Sequence, residues 1–119
     1  MELSDLILKS HANASEKGFW DAENRVLEKI EQSEDFDILD YKAAQEAFMS
    51  QKLMLIVSEL SEALEAMREN DTANFKEELA DVVIRTGDTA GGYDIDLHME
   101  VIQKMSKNSK RPPKHGKEF

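Results

Sequence analysis

Apolar residues recur along most of this chain at three- and four-residue steps, the spacing of one face of an α-helix. The pattern predicts an all-α bundle of four main helices. Leu3, Leu6, Ile7 and His11 share one side of a first helix over residues 2–16, which Gly18 ends. One long second helix runs from about Tyr41 to Glu69, roughly 40–45 Å at 1.5 Å per residue. Met49, Ile56, Ala63 and Met67 lie along its seam. A third helix extends from about Ala73 to Ala90 and stops at Gly91-Gly92. That pair reads as a helix C-terminus, because it lacks the spacing and the Lys-Ser/Thr of a phosphate-binding loop. Asp94 or Asp96 then caps a fourth helix, Leu97 to about Asn108, with Leu97, Val101 and Met105 facing inward, and Pro112-Pro113 ends it. Residues 21–40 are acidic and weakly patterned, with Val26, Leu27 and Ile30 suggesting a short helix and Ser33 to Asp40 a loop. No internal repeat, low-complexity tract or sustained heptad is visible.

Acids interrupt two of these apolar faces. Glu59 and Glu62 project from the side of the second helix that carries Leu55, Ile56, Ala63 and Ala66. Glu78 and Asp81, again three apart, share a side of the third with Phe75, Val82, Arg85 and Thr89. Asn70-Asp71-Thr72 separates the helices, a polar break whose Asp71 or Thr72 can cap the third, so the two return antiparallel and the acid pairs meet. Carboxylates 5–6 Å apart repel by roughly 3 kcal/mol at an effective dielectric near 20. Four together need protons or cations, and Mg²⁺ or Mn²⁺ suits an all-oxygen ligand set. Acids at this spacing are most often a solvated helix face; the inward phase of both pairs argues against that here. A ferritin-like di-iron bundle would need Glu-x-x-His, and none of His11, His98 and His115 follows a Glu by three.

Length and charge narrow the picture. The 119 residues make a single domain, 1–119, with room for subunit association to add to its core. The net charge of −10 argues against a nucleic-acid partner. From Lys104 onward six Lys or Arg face only Glu118, so residues 109–119 belong to a basic tail and the first 103 residues carry −15. An acidic body with a basic tail suits a ligand that is anionic and metal-bound. The longest uninterrupted apolar run, Leu53 to Val57, is too short for a bilayer, and the absence of cysteines excludes disulfides and thiol chemistry. A cytoplasmic protein with no membrane contact is expected.

The sequence at this point resembles the MazG-like all-α nucleotide pyrophosphohydrolases, whose signature is Glu-x-x-Glu, a spacer, then Glu-x-x-Asp. Glu59-Leu60-Ser61-Glu62 and Glu78-Leu79-Ala80-Asp81 match it, within SELSEALEAMR and EELADVVIRTGD. GFWD near the start, and Lys104-x-x-x-Asn108-x-x-Arg111 followed by HGK near the end, add to the likeness, which leaves roughly residues 24–44 unmatched. The resemblance implies a homodimer or tetramer that hydrolyses nucleoside triphosphates, standard or modified, to monophosphate and pyrophosphate. It assigns Glu59, Glu62, Glu78 and Asp81 to Mg²⁺, or Mn²⁺ in its place. One of these acids, or Glu77, would be the general base; some family members carry a further acid where this chain has Ser58.

Lys104, Asn108 and Arg111 continue the stripe of the fourth helix and, on this reading, face the acids and grip phosphate. Lys52, two turns before Glu59, can meet an acid or a phosphate, although a surface salt bridge is its simpler use. Arg85, His115 and Lys117 are further candidate helpers. Trp20 can stack on the base, against a simpler role for Phe19-Trp20 in packing at the helix junction; His11 reads first as a satisfied core histidine. Two rivals stand beside this: a non-catalytic helical interaction module whose basic tail docks on a partner, and a hydrolase confined to dUTP or to a guanosine tetraphosphate alarmone.

Overall fold

The break expected at Asn70-Asp71-Thr72 is a tight reversal in the computed structural model of the protein, which describes residues 1–119. Asn70 takes a left-handed conformation, φ 58°. The Asp71 N–H reaches back to the Ala66 carbonyl at 2.8 Å and the Asn70 N–H to that of Met67 at 3.1 Å, which satisfies the last carbonyls of the long helix. The Asp71 side chain then accepts from the Asn74 N–H at 3.1 Å and starts the next helix. Gly18, φ 88°, closes the first helix with the same pair of bonds, from Gly18 to Ser15 and from Phe19 to Ala14. So does Asp94, φ 55°, with bonds from Asp94 to Gly91 and from Ile95 to Ala90. Asp94 therefore ends one helix, and Asp96, accepting from the Met99 N–H at 3.2 Å, begins the next.

The elements are α1 (Leu3–Glu16), α2 (Asp21–Glu31), α3 (Ile38–Arg68), α4 (Thr72–Gly92) and α5 (Leu97–Ser109), followed by a 3₁₀ turn, Pro113–Gly116. The four main helices stand as the apolar pattern predicts, and the short helix that Val26, Leu27 and Ile30 suggest is α2, so the helix with Glu59 and Glu62 is the third and the one with Glu78 and Asp81 the fourth. The buried positions of α2 are Glu23 and Leu27, one turn apart, so half of its inward stripe is an acid and the apolar pattern shows only the rest. The long helix also begins three residues earlier than expected, because Asp37 accepts from the Leu39 N–H at 2.9 Å.

The α3–α4 hairpin is the spine; α1 lies along α4, α2 against α3, and α5 rests on α1. What the helices bury between them is small: Ala63, Ala66 and Ala90, with Ile7, Leu27 and Trp20. Four polar residues are equally buried, Ser10, Glu23, Lys52 and Glu59. The seam of α3 consequently runs through Lys52, Glu59, Ala63 and Ala66, and Met67, expected on it, is 57% exposed. Close approach at the end of α4 depends on its glycines. A Cβ on Gly91 would stand 2.7 Å from the His11 Cβ, and one on Gly92 would fall inside the Trp20 ring. No helix is long and apolar enough to cross a membrane.

Candidate active site

Antiparallel pairing of α3 and α4 brings the two acid motifs face to face. Glu59, Glu78 and Asp81 each place a carboxylate oxygen within 4.8 Å of the others. Glu62 is exposed beside this group, near enough for its charge to act on Glu78. Glu59 is buried, and its Oε1 accepts from the Arg85 Nε at 2.7 Å. Burial alone would raise the Glu59 pKa, but the Arg85 hydrogen bond and the neighbouring carboxyls outweigh it and hold the group below its ordinary value. Glu78 goes the other way. The neighbouring Glu59 carboxyl, then burial, then the Glu62 carboxylate push it up to about 7.

Glu78 Oε2 is buried and has no hydrogen-bond partner. A carboxylate oxygen left so is costly unless a proton or a cation meets it. Adjacent ligands of an octahedral Mg²⁺ at 2.0–2.1 Å stand about 2.9 Å apart and opposite ones about 4.2 Å. Oxygens within 4.8 Å of one another are near enough for side-chain rotation to draw them onto one ion. The donor set is carboxylate only, and it fits a hard divalent cation.

The acids stand at one end of a cavity of about 240 Å³ enclosed by α1, α3, α4 and the α1–α2 turn. Glu59, Asp81 and Arg85 line this end; Lys52, Asp88 and Phe19 line the rest with Ser10, Asn13 and Gln51. Behind that wall lies a polar network. Asp88 Oδ1 accepts from the Trp20 Nε1 at 2.7 Å and from the His11 Nδ1 at 3.0 Å. The Lys52 ammonium sits 4.0 Å over the Trp20 ring and 3.7 Å from Glu23 Oε2, while the Tyr93 hydroxyl donates to Glu23 Oε1 at 2.6 Å. Burial, followed by the charges of Glu23 and Asp88, raises the Tyr93 pKa.

The residues expected from sequence are thus only partly brought together. Glu59, Asp81, Arg85 and Lys52 line the cavity, Glu78 meets Glu59 and Asp81, and Glu62 is exposed beside them. Trp20 is 4% exposed and packs behind the wall, its ring meeting those of His11 and Tyr93 in T-shaped contacts. Glu77 is exposed on α4. Lys104 is exposed and Asn108 half-buried on α5, whose packing is on α1, and Arg111 is exposed just beyond its end; Arg111 Nη1 reaches Asn108 Oδ1 at 3.5 Å, and none of the three lines the cavity. The stripe they continue is exposed too, Val101 at 36% and Met105 at 66%. His115 and Lys117 lie exposed in the tail. Asp88, Glu23, Asn13 and Tyr93 were not foreseen. Asp88 carried a readable signal, since it follows Asp81 by two turns just as Lys52 precedes Glu59; Glu23 carried none.

Compared with known proteins, the chain matches the MazG nucleotide pyrophosphohydrolase domain over residues 49–116, from the middle of α3 through the 3₁₀ turn. No curated protein and no solved structure matches it. The matched segment is more than half of the chain and contains both acid motifs where the structure pairs them, so the protein belongs to the MazG nucleotide pyrophosphohydrolase domain family.

Proposed function

We propose that the protein hydrolyses nucleoside triphosphates between the α and β phosphates, releasing nucleoside monophosphate and pyrophosphate, with Mg²⁺ as its metal and Mn²⁺ able to replace it. The observation that carries this is the group of three carboxylates, two of them lining the cavity, with one oxygen of the group buried without a partner. Glu59, Glu78 and Asp81 would hold the ion, with Glu62 beside them. A divalent ion bound there would offset phosphate charge and lower the pKa of the attacking water.

The chain's own residues divide the remaining work. Arg85 fixes the Glu59 carboxylate through one oxygen and leaves the other for the ion. Glu62, exposed next to the group, takes the proton of the attacking water. Lys104, Asn108 and Arg111 are assigned to phosphate oxygens, a role that needs an α5 brought over the cavity from a neighbouring copy. A homo-oligomer is part of this reading, since only six hydrophobic residues are buried in the single chain.

The test is pyrophosphate release from a panel of standard and modified nucleoside triphosphates with Mg²⁺, with Mn²⁺ and with chelator. Metal-dependent release is expected. Glu59→Gln and Asp81→Asn should each lower the rate by more than the roughly 100-fold typical of groups that act only through a ligand, with unchanged helical circular dichroism. A folded protein that releases pyrophosphate from no nucleotide would refute the assignment and favour the interaction-module reading.

A further inference from the structure

The long helix outruns its partner. α3 has 31 residues and α4 has 21, and the tight reversal at Asn70 aligns the end of one with the start of the other. The first ten residues of α3 therefore run on past the end of α4, by about 15 Å. α2 packs on α3, with Glu23 paired to Lys52 at the base, and turns into it through Ser33 to Asp37. Together they form an arm whose tip is apolar and bare. Phe36, Ile38 and Leu39 are 46%, 56% and 69% exposed, and every residue from Glu31 to Asp40 is exposed. The tip lies outside the segment that matches the family, so the family's activity does not account for it.

Charge says what can cover these apolar groups. Glu31, Glu34, Asp35, Asp37 and Asp40 surround them with no cation in the same stretch, and none of the five is in an ion pair. A nucleic acid or an anionic lipid surface is repelled; a basic segment with apolar groups of its own is drawn in. The chain carries such a segment. Lys107, Lys110, Arg111, Lys114 and Lys117 are exposed, together with Pro112, Pro113 and Phe119, and none of these cations is in an ion pair. Lys114 and His115 also hold left-handed φ values of 55° and 53°. That conformation costs an L residue energy and persists where contacts fix it, yet both side chains are exposed. The tail thus has the chemistry of the missing cover and lacks a cover itself. The helix that leads to it packs on α1, and no ion pair within the chain joins tail to arm.

We propose that the tip of the arm is a docking site for the basic tail of a second copy, the acids of residues 31–40 facing the tail's lysines and Phe36, Ile38 and Leu39 covered between them. In a two-fold pair each copy gives its tail and receives the other's, so the contact forms twice. The inference rests on the reading above for the association of copies and not for the reaction.

Charge reversal tests this in the full chain. Copies with Lys110→Glu/Lys114→Glu have lost the basic tail that an acidic tip needs, and copies with Glu34→Lys/Asp35→Lys have lost the acidic tip that a basic tail needs. Each variant alone should associate at least about tenfold more weakly than the unaltered protein, measured by sedimentation equilibrium. Mixed in equal amounts the two are complementary at both contacts, and association should return to within about threefold of the unaltered value, as mixed pairs resolved by native mass spectrometry. The replaced side chains are exposed, so unchanged circular dichroism is expected. Net charge alone predicts the reverse for the tip variant, which is less acidic than the unaltered protein and would associate more readily.

An unaltered protein that stays monomeric, a tip variant that associates as well as the unaltered chain, or a mixture no stronger than its components would overturn the proposal. Recovery in the mixture without pyrophosphate release from any nucleotide would keep this contact and refute the proposed reaction. Release without recovery would do the opposite.

Discussion

Glu59 and Glu78 share one group of carboxylates, yet their surroundings push them apart. Arg85 serves Glu59 and keeps it ionised, while Glu78 faces that fixed charge and the Glu62 carboxylate and holds its proton up to about 7. Because the folded value exceeds the ordinary 4.5, the folded protein binds this proton more tightly than the unfolded chain. The stability it contributes is complete below pH 4.5 and is lost as pH rises to about 7. Glu59 contributes in the opposite sense, stabilising above its ordinary value and losing that only as pH falls through its lowered one. In chelator, the melting temperature should therefore decline across the Glu78 window, and Glu78→Gln should flatten the decline; a rise with pH in the unaltered protein would contradict the site geometry. A divalent ion must displace the same proton, so its apparent affinity, measured by calorimetry, should increase over that interval. The inward phase of these acids could be read from helical spacing alone. Their unequal charge could not, because it depends on Arg85 coming from the other helix.

At the scale of the elements, most helix ends were legible because their chemistry is local: Gly18, Asp71 and Asp96 act on backbone groups within a few residues. The packing partners of α2 and α5 were not. A stripe fixes which face of a helix is special without naming what meets it, and the buried face of α2 centres on Glu23, whose partners Lys52 and Tyr93 lie on α3 and α4. The glycines of α4 show the same limit, reading as a helix stop when they also serve contact. Gly92→Ala would place a methyl in the rigid Trp20 ring, and overpacking of this kind costs about 1–3 kcal/mol. A drop of several degrees in the melting temperature is expected, together with altered Trp20 fluorescence. At Gly87 the obstacle is the far end of the flexible Leu6 side chain, 2.9 Å from the added carbon. There the gain of up to about 1 kcal/mol for Ala over Gly inside a helix should win, so Gly87→Ala should melt no lower than the unaltered protein. Equal losses in both variants would show that the α1–α4 contact is rigid throughout.

The whole molecule is open for its length. Its radius of gyration is 17.8 Å, against the about 13.5 Å of a compact domain of this length. Leu53, Val57, Leu60, Leu64 and Met67 line α3 at four- and three-residue steps, and each is 48–57% exposed. That is a two-heptad seam, too short to register as a sustained repeat but of the form that packs against a partner helix. Leu79 and Val83 extend the exposed apolar surface onto α4. A second copy is the occupant the resemblance to the family favours, and symmetry would bury each seam residue twice. Burying a Leu contributes about 1.5–3 kcal/mol, so Leu60→Glu removes at least about 3 kcal/mol from a two-fold interface and weakens association more than 100-fold. Light scattering should give a dimer or tetramer for the unaltered protein and a smaller species for Leu60→Glu. Pyrophosphate release should fall with the mass, because α5 of the neighbouring copy no longer brings Lys104 and Arg111 to the phosphates. A monomeric unaltered protein would leave the seam without its occupant, and a Leu60→Glu monomer with full activity would place the whole active site within one chain.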